Sequence, residues 1–398
     1  MLNPPIPTNE MDRIISLSDF DIDYTNHQES FKDLTKLAAK VAGTDISLVN
    51  LIDTFTQWTI ANYGLSIDQM PREDSVCQYT IMHDDGFEVE DLTTDKRFKD
   101  KFYVVDEPHL RYYFGVPLKT NEGLNLGALC VLDKEQRALN PEKVELIKII
   151  ADEIVNRLKA FKVIDSLKSR LAEANETQKK VAHDIRGPLG GIIGLAQVIA
   201  EQGQDNEIDE VLEFINLIHK SGRSILELAD EILSADKPQP LKGDEFNLLL
   251  FKDKLEKLYA PQAKNKNIIF TVNLSPKSAG TPFSKNKLLQ ITGNLISNAM
   301  KFTPQDGKVT VDLNLRVEKG AQNLLRIKVT DTGVGLSKAA INTILNGSAT
   351  STDGTGGEQG YGFGLALVKH LVDSLKGTMH IYSEVGHGAT FEINLPQK

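Results

Sequence analysis

Three short stretches near the C-terminal end carry residue types suited to phosphate and purine chemistry. In NLISNAMKF (294–302), Asn294, Asn298 and Lys301 are spaced four and three apart, so a helix carries them on one face. Amide oxygens are neutral ligands for a hard cation and can share Mg2+ with phosphate oxygens. A lysine beside them holds a phosphate as a point charge. A solvated polar face has the same spacing. In DTGVGL (331–336), which follows the strand-like RIKVT, Asp331 can accept a hydrogen bond from an exocyclic amine such as that of adenine. Gly333 and Gly335 let a flat base approach the backbone, although ordinary turns use the same letters. In GYGFGL (360–365), Gly360, Gly362 and Gly364 lead into an apolar helix. A glycine-rich loop at a helix start offers free amides to an anion; a plain turn before a helix is the alternative.

A fourth stretch, HDIRGPLGGIIGL (183–195), begins with His183 and Asp184. Neutral imidazole, with an unperturbed pKa of about 6.5, is a nucleophile near neutral pH. An adjacent carboxylate can orient the ring or take its proton. Four glycines and Pro188 follow at once, although each glycine costs a helix about 1 kcal/mol and an interior proline about 3. At about 100° per residue, Gly187, Gly190, Gly191 and Gly194 fall within about 80° of His183. Val181, Ile185, Leu189, Ile192, Ala196 and Ile199 fall on the opposite face. The stripe clears side chains from the surface below the histidine, and Pro188 permits a bend there. Tolerance of poor helix formers, offset by a packed core, is the competing account.

Elements of several kinds must hold these residues. Strand-like runs occur at 46–53 and 56–64, and 111–133 reads as two strands around a turn at Asn121-Glu122-Gly123. A helix starts at Pro141 and meets no further proline or glycine before 187. Along it, Ile154, Leu158, Phe161, Ile164, Leu167, Leu171 and Ala174 form a coiled-coil seam, overwound by a three-residue insertion near 161–167. A long helix packed on its own domain is the alternative. EQGQDNE (201–207) is a loop and 207–235 a second amphipathic helix, which makes a helical hairpin; two such hairpins give a dimeric four-helix bundle. SADKPQPLKG (234–243) breaks the helix. Beyond it, strands are expected at 267–274, 308–318, 324–332, 378–385 and 389–396, with helices at 247–264, 284–301, 337–346 and 363–376. Residues 347–364, rich in Gly, Ser and Thr, read as a functional lid.

Composition bounds the rest. A net charge of −10 speaks against a general nucleic-acid partner. Two cysteines without metal-ligand spacing suit a reducing compartment. No apolar run reaches the roughly 18 residues of a membrane span, and no secretory signal opens the chain. The expectation is a cytoplasmic protein without a membrane partner.

The asparagine helix, the Asp-x-Gly-x-Gly strand end, the lid and the glycine-rich helix start follow one another within about 80 residues. In that order they resemble the GHKL ATP-binding domain of sensor histidine kinases, and GHGATFEINLP (386–396) is similar to its closing strand. The resemblance implies an α/β sandwich at 244–398. It implies that Asn298 coordinates Mg2+, that Asn294 and Lys301 line the phosphate side, and that Asp331 recognises adenine. Gly333 and Gly335 then form the base pocket, and Gly360, Gly362 and Gly364 sit by the phosphates of ATP. The segment INTILNGSATST (341–352) departs from the family in having no aromatic residue before the lid.

HDIRGPL resembles the phospho-acceptor box of the same kinases, which implies phosphorylation of His183 with Asp184 beside it, in a hairpin over 181–236. Relatives that also dephosphorylate their regulator carry Thr or Asn four residues after the histidine. Here Gly187 stands there, so phosphatase activity by that route is expected to be weak. SVCQYTIMHDDGFEVEDLTTDKRF (75–98) and the run after it resemble a GAF domain, placed at 1–150, with the coiled-coil linker at 151–180. A GAF domain implies a small-molecule ligand or mere dimerisation. Cys77, followed by Gln78, is expected as a buried structural cysteine, and His83 and His109 as surface or hydrogen-bonded residues. The whole reads as a multidomain, cytoplasmic, homodimeric kinase that passes its phosphoryl group to a separate response regulator. The rival readings are a GHKL ATPase and a nucleotide-binding scaffold, neither phosphorylating itself.

Overall fold

The computed structural model describes residues 5–24, 28–203, 208–234, 246–281, 283, 287–316, 323–346, 354–355 and 362–397. It divides into two units, residues 1–163 with 246–398, and residues 164–245.

The N-terminal part of the first unit is a six-stranded antiparallel sheet. Helices α1 (Glu10–Ser18) and α2 (Gln28–Ala42) precede strands β1 (Ile46–Ile52), β2 (Thr56–Tyr63) and β3 (Gln69–Pro71). The short helix α3 (Cys77–Thr80), β4 (Phe87–Val89), the short helix α4 (Phe102–Val105), β5 (Tyr112–Lys119) and β6 (Asn125–Asp133) follow. The strand order is β3-β2-β1-β6-β5-β4. The β5–β6 turn falls where Asn121-Glu122-Gly123 predicts it, with Gly123 at φ +82°. Both sheet faces are buried. Phe31, Val49, Leu51, Leu129 and Val131 pack with α2 on one side. Leu48, Ile52, Cys77, Tyr113 and Cys130 pack on the other.

Helix α5 (Pro141–Gln202) is continuous over 62 residues, a length of about 93 Å. Its first turns present Ile147, Ile150, Ile154 and Leu158 to the sheet, all buried. This corrects the expected seam, because Ile154 and Leu158 are spent on the core of the sheet domain. Ile164, Leu167 and Leu171 are 45%, 57% and 63% exposed.

The C-terminal part of the first unit contains α7 (Leu248–Asn265), β7 (Ile269–Leu274), α8 (Leu288–Phe302), β8 (Lys308–Arg316), β9 (Asn323–Asp331), α9 (Lys338–Leu345), α10 (Gly364–Ser374), β10 (Thr378–Ser383) and β11 (Ala389–Gln397). Asn247 caps α7 through Oδ1, which accepts the Leu250 N–H. The strands form one sheet in the order β10-β11-β9-β8-β7, with β7 and β8 parallel. Alternation in KVTVDLNLR buries Val309, Val311, Leu313 and Leu315 on one face, against Phe251, Leu255, Ile291, Leu295, Leu367 and Leu371 of the helices. Gly293 lets α8 lie under Tyr259, since a Cβ there would fall 2.0 Å from the tyrosine oxygen.

The two sheet domains touch inside this unit. Trp58 of β2 stacks on Tyr24 at 4.9 Å and meets Tyr259 of α7 edge-on at 5.9 Å. Gln69 donates to the Leu258 carbonyl at 2.8 Å and accepts from Gln262 at 2.8 Å. Lys287 Nζ reaches Asp19 at 2.6 Å, and Lys254 pairs with Asp23.

The second unit comprises the rest of α5 and α6 (Ile208–Ser234). The glycines and Pro188 do not interrupt α5, and the helix runs into the expected loop as far as Gln202. Leu189, Ile193, Leu212 and Ile215 are 45–57% exposed in the single chain. The breaker at 235–243 lies outside the described residues.

Candidate functional site

In the C-terminal domain, α8 packs against both β9 and α10. Asp331 is the last residue of β9 and is buried. Its Oδ1 accepts the backbone N–H of Gly333 at 2.8 Å and of Ala389 at 3.1 Å. Burial pushes its carboxyl above the usual carboxylate range, against the pull of those two donors. The turn after it has no room for side chains. A Cβ on Gly333 would lie 2.3 Å from the Phe302 carbonyl oxygen, and one on Gly335, at φ +68°, would lie 2.0 Å from the Glu384 carbonyl oxygen.

Asn294, Asn298 and Lys301 share one side of α8 as their spacing predicts, and all three are buried rather than solvated. The Asn294 amide is oriented by its Nδ2, which donates to the Gln290 carbonyl at 2.9 Å. Among the described residues, Asn294 Oδ1 is then a buried acceptor without a partner, and Asn298 Nδ2 a buried donor without one. Buried polar atoms are normally paired, so this acceptor and donor, one turn apart, can each take a partner from outside the described residues. Gly364 opens α10 beside them; a Cβ there would lie 3.1 Å from Asn294 Oδ1. Gly362 adopts φ +77°, and Gly360 lies outside the described residues. The expected α8 start at 284 shifts to Leu288.

Four neighbours were not legible from motif spacing. Ala389 supplies the second donor to Asp331 from a strand 58 residues away. Lys266 Nζ donates to the carbonyls of Met300 and Lys301 at 2.9 and 2.8 Å, closing the C-terminal end of α8. Thr355, in the expected lid, donates from N and Oγ1 to the Lys301 carbonyl, both at 3.1 Å. Phe55, from the β1–β2 turn, stands against Gly364, with Cε2 2.6 Å from the position of a Cβ on that glycine. A lone aromatic residue in a hairpin turn carries no motif; its half-burial is visible only in the folded chain.

His183 and Asp184 fall within α5, and their side chains lie outside the described residues. A Cβ on Gly187, Gly190, Gly191 or Gly194 would meet nothing within 4 Å, so the surface after the histidine is bare in the single chain.

In the N-terminal domain, a cavity of about 210 Å³ lies on the Cys77–Cys130 face of the sheet. Both cysteines are buried and reduced. His83 is exposed and stacks on Phe87 at 5.4 Å, and His109 is exposed; neither lines the cavity. Among the described residues no helix is long and apolar enough to cross a membrane.

Three family models match the chain in succession. The GAF domain model covers residues 26–158, the His Kinase A (phospho-acceptor) domain 174–240, and the histidine kinase-, DNA gyrase B- and HSP90-like ATPase 284–398. The last match spans Asn294, Asp331 and Gly364 and gives the chain an ATP-binding domain. The chain is similar to the autoinducer 2 sensor kinase/phosphatase LuxQ of Vibrio parahaemolyticus, at 31% identity over 366 residues, 86% of this chain and 39% of that protein. It is also similar to a cyclic di-GMP phosphodiesterase of Pseudomonas aeruginosa, at 42% identity over 137 residues, 34% of this chain and 23% of that one. The catalytic domain of the histidine kinase ThkA aligns with a TM-score of 0.33 at 20% identity, over 39% of this chain and 97% of that domain. The chain spans less than half the length of either curated relative. A GAF domain, a phospho-acceptor hairpin and an ATP-binding sheet domain, met in that order along one chain, place it among the sensor histidine kinases.

Proposed function

We propose that this chain is a cytoplasmic, homodimeric kinase that phosphorylates its own His183 from Mg-ATP and hands the phosphoryl group to an aspartate of a separate response regulator. The observation that carries the reading is a buried amide acceptor on Asn294 and a buried amide donor on Asn298, both without partners among the described residues, in a chain with a phospho-acceptor match around His183. Asp331 binds the exocyclic amine of adenine, with Gly333 and Gly335 against the base. Lys301 holds a phosphate, and Gly362 and Gly364 let it approach the backbone at the start of α10; Gly360 is assigned to the same run from the sequence alone. Asn294 and Asn298 fit a Mg-nucleotide: Asn298 would hold the ion through its Oδ1, and the ion's charge would offset that of the phosphates.

The chemistry assigned to this chain's own residues is brief. The unprotonated ring nitrogen of His183 attacks the γ-phosphorus. An N–P bond forms, the bridging β–γ P–O bond breaks, and ADP leaves. Asp184 orients the ring and takes the proton from its other nitrogen. The half-exposed apolar residues of α6 and the exposed Ile164, Leu167 and Leu171 support a dimer, since a second copy covers them in a four-helix bundle with a short coiled coil above it. The GAF domain regulates the kinase through α5.

Incubation with γ-labelled ATP tests this. Acid-labile, base-stable label on the wild-type chain and none on His183→Gln supports the kinase. ATP hydrolysis without label supports a GHKL ATPase, and binding with neither supports a scaffold.

A further inference from the structure

The two cysteines are 53 positions apart in sequence, yet their Sγ atoms lie 3.9 Å from each other. Cys77 opens the short helix α3, and Cys130 lies in β6 directly across from β1. A disulfide has an S–S length of about 2.05 Å, so a closure of under 2 Å joins them.

The polar atoms around this pair favour the sulfur of Cys77. Asn50 Nδ2 donates to Cys77 Sγ at 3.2 Å and to Cys130 Sγ at 3.4 Å. Its amide is held in that orientation because its Oδ1 accepts from the Thr59 hydroxyl at 2.8 Å. Tyr113 donates its phenol hydrogen to Cys77 Sγ at 3.3 Å and sits 2.6 Å from Thr80 Oγ1. Burial by itself pushes both thiols up. At Cys77, hydrogen bonds from Cys130, Tyr113 and Asn50 outweigh it and hold the thiol below its ordinary value. Burial and the neighbouring Cys77 keep Cys130 protonated. Two side-chain donors reach Cys77 and one reaches Cys130, so a thiolate is better supported at Cys77, with the Cys130 thiol within reach of it.

Both sulfurs line the cavity of about 210 Å³, whose walls are otherwise mainly apolar, among them Leu48, Ile67, Met70 and Leu110. Water-sized molecules fit such a space.

We propose that Cys77 and Cys130 form a peroxide-reactive dithiol inside the GAF domain. The Cys77 thiolate attacks one oxygen of a hydroperoxide. The O–O bond breaks, water or an alcohol leaves after protonation, and Cys77 becomes a sulfenic acid. The Cys130 thiol then displaces the sulfenic hydroxyl as water, and the S–S bond forms. Two thiols are oxidised by two electrons and one peroxide is reduced. Cys77 is the attacking residue, and Asn50 and Tyr113 are positioning residues. The bond ties α3 to β6, the strand that leads into α5. This chemistry goes beyond the kinase reading and does not depend on it.

The full chain, reduced and then exposed to hydrogen peroxide, is digested without reductant and read by mass spectrometry. The expected product is a peptide pair linked through Cys77 and Cys130 that dithiothreitol separates. Cys130→Ser is expected to stop at a sulfenic acid on Cys77, trapped by dimedone. Tyr113→Phe is expected to slow linkage several-fold while leaving the product the same. Wild-type chain that keeps both thiols fully alkylatable after peroxide, or that links only between chains, overturns the proposal, and this readout needs no folded variant. Autophosphorylation of the oxidised and reduced forms is scored separately, so a failure of the kinase reading leaves the thiol result interpretable.

Discussion

The ring of Phe55, in a turn of the GAF sheet, lies 6.0 Å from the ammonium of Lys301 in the ATP-binding domain. The same ring touches the Cβ position of Gly364, next to the open oxygen of Asn294. An aromatic ring from the sensor domain therefore stands beside the residues assigned to phosphate. Truncating it in Phe55→Ala is expected to tighten binding of a non-hydrolysable ATP analogue by about tenfold, or ~1.4 kcal/mol, within what burial of a phenylalanine is worth. Isothermal titration of the full chain measures this; an unchanged affinity would mean that the ring does not compete with nucleotide.

Asp331 joins two backbone donors to one buried oxygen. Asp331→Asn keeps an acceptor for those donors but removes the charge that the proposal assigns to the exocyclic amine of adenine. A hydrogen bond to a charged group is worth about 1.5–3 kcal/mol, so ATP affinity is expected to fall about 10–100-fold with little change in the melting temperature of the nucleotide-free chain. Retained affinity in a titration with labelled nucleotide would place adenine elsewhere.

Glu10 sits between two buried arginines in the GAF domain, 2.7 Å from Arg13 Nη2 and 2.6 Å from Arg72 Nη1. Burial pushes its carboxyl up, but the hydrogen bonds and charges of Arg13 and Arg72 win and hold it below the usual value. A lowered folded-state value means stability that is present above the ordinary carboxylate value of about 4.3 and lost as pH falls through the folded one. Glu10→Gln removes the carboxylate that two buried guanidiniums share and is expected to cost about 3–5 kcal/mol near neutral pH. The deficit should shrink as the wild-type Glu10 is titrated. Urea unfolding at neutral and acidic pH measures both; a deficit independent of pH would contradict the ion-pair origin.

The glycine stripe below His183 is bare in the single chain. Gly190→Ala with Gly194→Ala is expected to stabilise the helix by about 1 kcal/mol per site. If the stripe gives the ATP domain and the regulator access to the histidine, phosphotransfer falls in the same variant despite the gain. A more stable variant with full autophosphorylation and transfer would show that the helix merely tolerates its glycines.

Gly187 bears on a different reaction. Its lack of a side chain removes any group that could position water four residues after the histidine, so dephosphorylation of a regulator is expected to be slow. The name of LuxQ includes a phosphatase, which makes the comparison direct. Brisk regulator dephosphorylation by the wild-type chain, lost in Gly187 variants, would refute the expectation.

Local periodicity carried most of the architecture. Alternation in KVTVDLNLR predicts a strand with one covered face, and the spacing of Asn294, Asn298 and Lys301 predicts one side of a helix; both hold. The motif order around Asp331 and Gly364 also led to the ATP-binding domain, by its resemblance to the same order in the sensor kinases. The sequence misled where two partners can cover the same apolar stripe. Ile154 and Leu158 fit a coiled-coil seam equally well, but the sheet is nearer and takes them. What only the tertiary structure decided are pairings across long chain separations: Cys77 with Cys130, Ala389 with Asp331, Phe55 with Lys301. A period of two or of 3.6 residues states which face an element buries and is silent about what is buried against it. That second choice is made by the packing of whole layers, so these pairs appear only when the chain has folded.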